Sequence, residues 1–271
     1  MCDHCVTESV RQRMLSRRDI FRAAPLAAAA VAGLSAAPAA LAQGASRVQD
    51  MTHAYDADFP TYFGKPGYKA TPVYTYAEHK FNLSIIEVNE HTGTHVDAPL
   101  HFSADGQSVD AIPVENLVAP LCVVDIRAKA DGDADAQVTP DDLKGWIAAH
   151  GPIPERACVA MLSGWDAHAA TAKFRNADDA GVMHFPGFHA EAAEMLIEET
   201  GAVGMAVDTL SLDHGKSADF ATHYLWLPTN RYGIECLANL ETVPASGATL
   251  VVGAPKHRGG SGGPARIFAL I

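Results

Sequence analysis

His91-Thr92-Gly93-Thr94-His95-Val96-Asp97-Ala98-Pro99-Leu100-His101-Phe102 is the stretch that decides how this chain is read. Four side chains able to bind a metal, His91, His95, Asp97 and His101, fall within eleven residues. Burying them unpaired would be costly, so their density asks for a shared partner. In an extended strand His91 and His95 would stand roughly 13 Å apart. That is too far to share a cation that sits about 2 Å from each ligand. Helical spacing would bring them together, but Gly93 and Pro99 disfavour a helix here. The segment therefore reads as a strand ending near Glu90, then a bend at Gly93 that folds His91 back toward His95 and Asp97. Imidazole and carboxylate ligands suit Zn, Mn or Fe and suit Cu(I) poorly.

Outward from this motif the chain alternates strands and helices. Apolar runs predict strands over 81–90, 121–126, 157–162, 202–207, 248–252 and 265–271. Thr139 and Pro140 open a helix that Gly151 closes. A second helix is expected over 189–200, with Ala192, Ala193, Met195, Leu196 and Ile197 apolar and Gly201 as its stop. The fold class is α/β: a single mixed domain with a central twisted or barrel-like sheet and the metal loop at its rim. Asp131-Gly132-Asp133-Ala134-Asp135 lacks the pattern of a calcium loop and reads as a solvated acidic turn. Gly259-Gly260-Ser261-Gly262-Gly263 lacks the Lys-Ser/Thr ending of a phosphate loop and reads as a hairpin loop.

The chain has 271 residues, with 20 Lys+Arg against 32 Asp+Glu, a formal net charge of -12, and 13 histidines. This acidity, with no basic cluster, argues against a nucleic-acid partner. Ser16-Arg17-Arg18-Asp19-Ile20-Phe21, an alanine-rich stretch and Ala40-Leu41-Ala42 form a twin-arginine export signal over 1–42. The stretch is weakly hydrophobic and interrupted by Pro25 and Pro38, so stable membrane insertion is not expected. Without residues 1–42 the count is 15 basic and 29 acidic, a net charge of -14. Residues 43–271 then form the functional domain, exported folded to the periplasm with the twin-arginine machinery as a partner. Cys2 and Cys5 lie within the signal, and Cys122, Cys158 and Cys236 offer no disulfide framework.

The string H-x-G-T-H-x-D-x-P-x-H-F resembles the motif of the metal-dependent cyclase family, which includes bacterial kynurenine formamidases and isatin hydrolases. Gly164-Trp165, Val207-Asp208-Thr209-Leu210-Ser211-Leu212-Asp213 and Gly263-Pro264-Ala265-Arg266 resemble further family landmarks. The resemblance implies a swivelling β/β/α fold and a homo-oligomer. It also implies that His91, His95 and Asp97 hold a first divalent metal, Zn or Mn. Asp97 and Glu235 would bridge to a second metal held by His223, because His223 and Glu235 keep the twelve-residue spacing of the formamidase branch. His101 is then the catalytic proton donor and acceptor. Tyr62 and Phe63 occupy the stretch where that branch has an aromatic substrate wall, and Leu227 stands where the isatin branch has a glutamine.

The implied activity is metal-dependent hydrolysis of an amide, cyclic amide or related carbonyl substrate, a C–N bond other than a peptide bond, as in an arylformamidase. A metal-bound water near neutral pKa would supply the nucleophile, and a free imidazole would protonate the leaving nitrogen. Two other readings stand beside it: a metal-dependent cyclase or dehydratase, and a non-catalytic periplasmic metal- or ligand-binding protein. His101 beside a full ligand set argues against the second of these.

Overall fold

The computed structural model describes residues 46–271; the twin-arginine segment and the Ala40-Leu41-Ala42 site lie outside them. The architecture is mixed α/β, built on a nine-stranded sheet curled into a half-barrel. Its strands are β1 (Val48–Asp50), β4 (His95–Asp97), β5 (Val118–Asp125), β7 (Cys158–Leu162), β9 (Gly204–Val207), β10 (Tyr232–Glu235), β11 (Ala248–Gly253), β12 (Gly262–Pro264) and β13 (Arg266–Leu270). They lie in the order β1-β13-β11-β5-β7-β9-β10-β4-β12. The central strands β5, β7, β9 and β10 run parallel, and the flanking pairs run antiparallel.

Parallel neighbours need long crossovers, which helices supply. These are α3 (Pro140–His150) between β5 and β7, and α4 (Ala190–Glu199) between β7 and β9. The sequence punctuates both. Asp142 accepts hydrogen bonds from the backbone N–H and the hydroxyl of Thr139, and the His189 ring caps the start of α4. Because the sheet is covered on both faces, its strands read as continuous apolar runs. Along β5, Leu121 and Val123 enter one core with Ala160, Ile234 and Leu250. Cys122 and Val124 enter the other core, with Leu143, Trp146, Ala192 and Leu196 of the two helices. Shorter elements complete this body: α2 (Arg127–Ala130), α5 (Ala221–Trp226) and a parallel pair of β6 (Gln137–Val138) and β8 (Gly187–Phe188).

The segment Ala70–Glu87 falls in a compact unit apart from the main body. It carries most of a two-stranded ribbon, β2 (Tyr68–Tyr74) and β3 (Leu83–Val88), joined through a helical turn, α1 (Tyr76–His79). The strand expected over 81–90 is β3, with Ile85 and Ile86 both exposed.

Among the short strands that escape a reading by apolar runs, β4 carries His95 and Asp97 of the motif and β10 carries Glu235. Their antiparallel register sets His95 opposite Glu235 and Asp97 opposite Gly233. Side chains two residues apart share a face of a strand, so His95, Asp97 and Glu235 point the same way. The stretch expected to be only a hairpin loop instead contributes β12, which pairs with the other edge of β4 and sets Gly262 opposite Asp97. A Cβ at Gly262 would lie 2.3 Å from the Val96 carbonyl oxygen. Gly262→Ala is therefore expected to cost at least about 2 kcal/mol by forcing backbone apart, read as a lower urea midpoint with an unchanged m-value.

Candidate metal centre

Gly93 has φ +63°, in the left-handed region, and a Cβ there would meet the Tyr55 ring at 2.8 Å. Glycine therefore makes the bend, and the bend returns His91 to the site as the sequence predicts. His91 Nδ1 lies 2.7 Å from Asp97 Oδ1, and the His91 and His95 ring centroids are 5.2 Å apart. His95 Nε2 is 3.4 Å from Asp97 Oδ1 and 3.3 Å from Glu235 Oε2. From α5, His223 Nε2 reaches to 3.2 Å from Glu235 Oε1 and 3.7 Å from Asp97 Oδ2. His101 stacks on His91, with centroids 3.8 Å apart and planes 22° apart. All six predicted polar site residues thus converge.

The rings are held from behind. His95 Nδ1 donates to the Gly93 carbonyl at 2.8 Å, and His223 Nδ1 donates to Asp213 Oδ2 at 2.6 Å. Each bond leaves Nε2 facing inward, so that on losing its proton it offers the lone pair a metal ligand needs. Asp213 is itself fixed by the backbone N–H groups of Thr222 and His223. Leu212 N–H donates to Glu235 Oε1.

Electrostatics follow from burying this set. Desolvation alone would raise Asp97, but the close approach of the His223, His91 and His95 imidazoles outweighs it and holds its carboxyl well below the usual range. Burial would likewise depress His95 and His223. The nearness of Asp97 and Glu235 outweighs burial at His95, and the bond to Asp213 with the nearness of Asp97 does so at His223, so both stand well above the ordinary imidazole value. His101 goes the other way: burial pushes it down to about 4 against the pull of Asp97, leaving it neutral.

The residues present fit a divalent cation. His95 Nε2 and Asp97 Oδ2 are buried polar atoms with no hydrogen-bond partner, an expensive state unless a cation fills the gap. Candidate ligand atoms lie within 4.8 Å of one another in two groups, His91–Asp97–His101 and His95–Asp97–Glu235, with Asp97 common to both.

Above these groups opens a cavity of about 220 Å³. Tyr62, Phe63, Phe102, Leu210 and Phe220 line it, beside His91, His101 and His223. The Tyr62 ring sits 5.6 Å from Phe220 and 5.5 Å from Phe63, and Phe63 is 75% exposed at the mouth. Arg175 donates to the Tyr62 carbonyl and ties down this loop.

A family described as putative cyclase matches residues 49–214. The chain belongs to that family. An isatin hydrolase of Roseibium aggregatum is 36% identical over 194 residues, covering 68% of this chain and 73% of that protein. A kynurenine formamidase of Salinibacter ruber is 32% identical over 190 residues, covering 70% and 80%. The solved structure of isatin hydrolase A from Labrenzia aggregata bound to benzyl benzoate superposes with a TM-score of 0.79. It is 37% identical and covers 85% of this chain and 96% of its own.

Other landmarks of this cyclase-family chain acquire physical reasons. The N–H groups of Ser163, Gly164 and Trp165 all donate to the buried Asp208 carboxylate, which joins the Gly164-Trp165 and Val207–Asp213 segments. Leu227 is fully buried in the helix-side core. Sequence reasoning missed Asp213, Phe102 and Phe220 as parts of the site; Asp213 orients His223. The acidic turn is only partly solvated, because Asp135 pairs with His184 and Lys216.

Two outcomes follow for the metal-free protein. Its protonated His95 and His223 must release protons for a cation to bind, so affinity should rise with pH through the raised imidazole range and proton release should accompany uptake. Titration with Zn²⁺ in two buffers of different ionisation enthalpy measures both. Asp213→Ala should weaken metal binding by about 10- to 100-fold by freeing the His223 ring, read by chelator competition.

Proposed function

We propose that this chain is a metal-dependent amidohydrolase that cleaves a C–N bond of an aryl formamide, cyclic amide or related carbonyl compound, as an arylformamidase does. The observation that carries the reading is a pair of unpartnered buried ligand atoms, His95 Nε2 and Asp97 Oδ2, below an aromatic-lined cavity with a neutral imidazole in its wall. A divalent cation held by His91, His95, Asp97, His223 and Glu235 would polarise the substrate carbonyl and make water a nucleophile at neutral pH. Asp97 presents its two oxygens to different histidines, and Glu235 does the same, which supports a site for two ions. Zn or Mn matches the donor set.

The chain's own residues do the rest. His101, neutral and stacked on His91, accepts the proton of the attacking water at a ring nitrogen and returns it to the leaving nitrogen. Tyr62 and Phe63, with Phe102 and Phe220, offer ring faces to a flat substrate and exclude water from the reacting bond. The cavity is smaller than the ~300–1,000 Å³ of drug-sized sites, so it suits one or two fused rings. Similarity to both an isatin hydrolase and a kynurenine formamidase supports an aromatic amide as substrate, and Glu235 faces both His95 and His223, at 3.3 and 3.2 Å. The reading includes export through the twin-arginine route to the periplasm and assembly as a homo-oligomer.

The test is a panel of N-formyl aromatic amines, isatin-like lactams, cyclic imides and lactones offered to the Zn- or Mn-loaded protein. Turnover of an aryl amide that disappears on chelation supports the reading; a loaded protein inert on the whole panel overturns it. His101→Ala should keep near-normal metal content while lowering turnover by about 100-fold or more. Unchanged turnover would remove His101 from the mechanism.

A further inference from the structure

The glycine-rich stretch Gly259-Gly260-Ser261-Gly262-Gly263 takes no part in the chemistry above, yet it touches a ligand. His91 differs from the other two ligand histidines. Its side chain is 20% exposed where theirs are 3%, and no neighbour in its own segment holds its outer nitrogen. Its Nε2 lies 3.1 Å from Ser261 Oγ, 170 residues away in sequence. The Ser261 hydroxyl spends its own proton elsewhere, donating to Glu90 Oε2 at 2.6 Å. It therefore faces His91 as an acceptor, and His91 Nε2 must be the N–H that donates. Nδ1 then faces the metal-ligand cluster, 2.7 Å from Asp97 Oδ1, the direction from which it would bind a cation.

The surroundings make this contact stiff. Glu90 is held on its second oxygen by His257 Nε2 at 2.6 Å and receives the Ser261 N–H at 3.3 Å. The Ser261 and Gly260 carbonyls accept from Ala98 and Val109, and Gly259 N–H donates to Asp110. The glycines are explained by the same contact. A Cβ at Gly260 would meet His257 Nε2 at 2.1 Å and Glu90 Oε1 at 2.7 Å, and one at Gly262 would meet His91 Cε1 at 2.9 Å. Only residues without side chains on both sides of Ser261 let the loop close on Glu90 and His91 together.

We propose that Ser261, fixed by Glu90, is a positioning residue that holds the His91 ring by its Nε2–H, with Nδ1 turned toward the metal-ligand cluster, and that the glycine loop exists to deliver it. The inference rests on the reading of His91 as a metal ligand, and it predicts that metal affinity depends on a residue far from the sequence motif. Outer partners of ligand histidines typically govern affinity by about 10- to 100-fold.

The test compares wild type with Ser261→Ala, Ser261→Thr and Glu90→Ala, each checked for folding by circular dichroism and thermal unfolding. Two readouts are taken. In metal-free protein labelled with ¹⁵N-histidine, the His91 Nε2–H signal (identified by its loss in His91→Gln) reports whether that proton is held and protected from exchange. Zn²⁺ affinity is measured by chelator competition. The expected result is a protected Nε2–H in wild type and in Ser261→Thr, an exchange-broadened one in Ser261→Ala and Glu90→Ala, and about a 10- to 100-fold loss of Zn²⁺ affinity in those two variants alone. If Ser261→Ala does not fold, Glu90→Ala carries the same comparison with the serine in place. Wild-type resonances and affinity in the folded variants would overturn the proposal. A wild type that takes up no Zn²⁺, but whose Nε2–H protection is lost in Ser261→Ala, would refute the metal reading and leave the clamp on His91 standing.

Discussion

The structure turns on one buried carboxylate. Asp97 is fully buried, and an isolated ionised carboxylate in such a place would cost far more than a domain can spare. It is stable there because three imidazoles, His91, His95 and His223, converge on it from a bend, a strand and a helix. Each of those elements must hold its position for the charge to be compensated. Stability and function are therefore coupled at this residue: the groups that neutralise Asp97 in the metal-free protein are the groups that would hold a cation with it.

That coupling explains where the glycines fall. Gly233 on β10 and Gly262 on β12 sit opposite Asp97 on either side of β4. A Cβ at Gly233 would lie 3.2 Å from the Asp97 carboxylate, and one at Gly262 would strike backbone. Three strands can pack this closely around ionisable side chains only because two of them carry no side chain at that level. The aromatic residues above the cluster perform a complementary task. They keep the site dry, which strengthens every electrostatic interaction within it.

Much of the site was legible because the motif is local. His91, His95, Asp97 and His101 lie within eleven residues, and a short argument about reach forces a bend at Gly93. The central strands and both long helices were legible as well, since continuous apolar runs and capping residues report on their own immediate surroundings. Other parts were hidden for a common reason. β4 and β10 are three and four residues long, and they carry His95, Asp97 and Glu235, so no apolar run marks them. Asp213 closes the Val207–Asp213 landmark, and nothing in that string places it against His223, ten residues on. The Gly259–Gly263 loop looked like an ordinary turn.

The sequence by itself determined the ligand chemistry, the bend that gathers it, the α/β class and the family, because these depend on residue types at short spacing. The tertiary structure alone decided which partners stand behind the ligands and which rings wall the cavity. It also decided that Glu235 lies across from His95. Those pairings join residues separated by up to 171 positions, such as Glu90 and Ser261. They are set by strand register and by the close approach that glycines permit, and neither leaves a periodic signature along the chain.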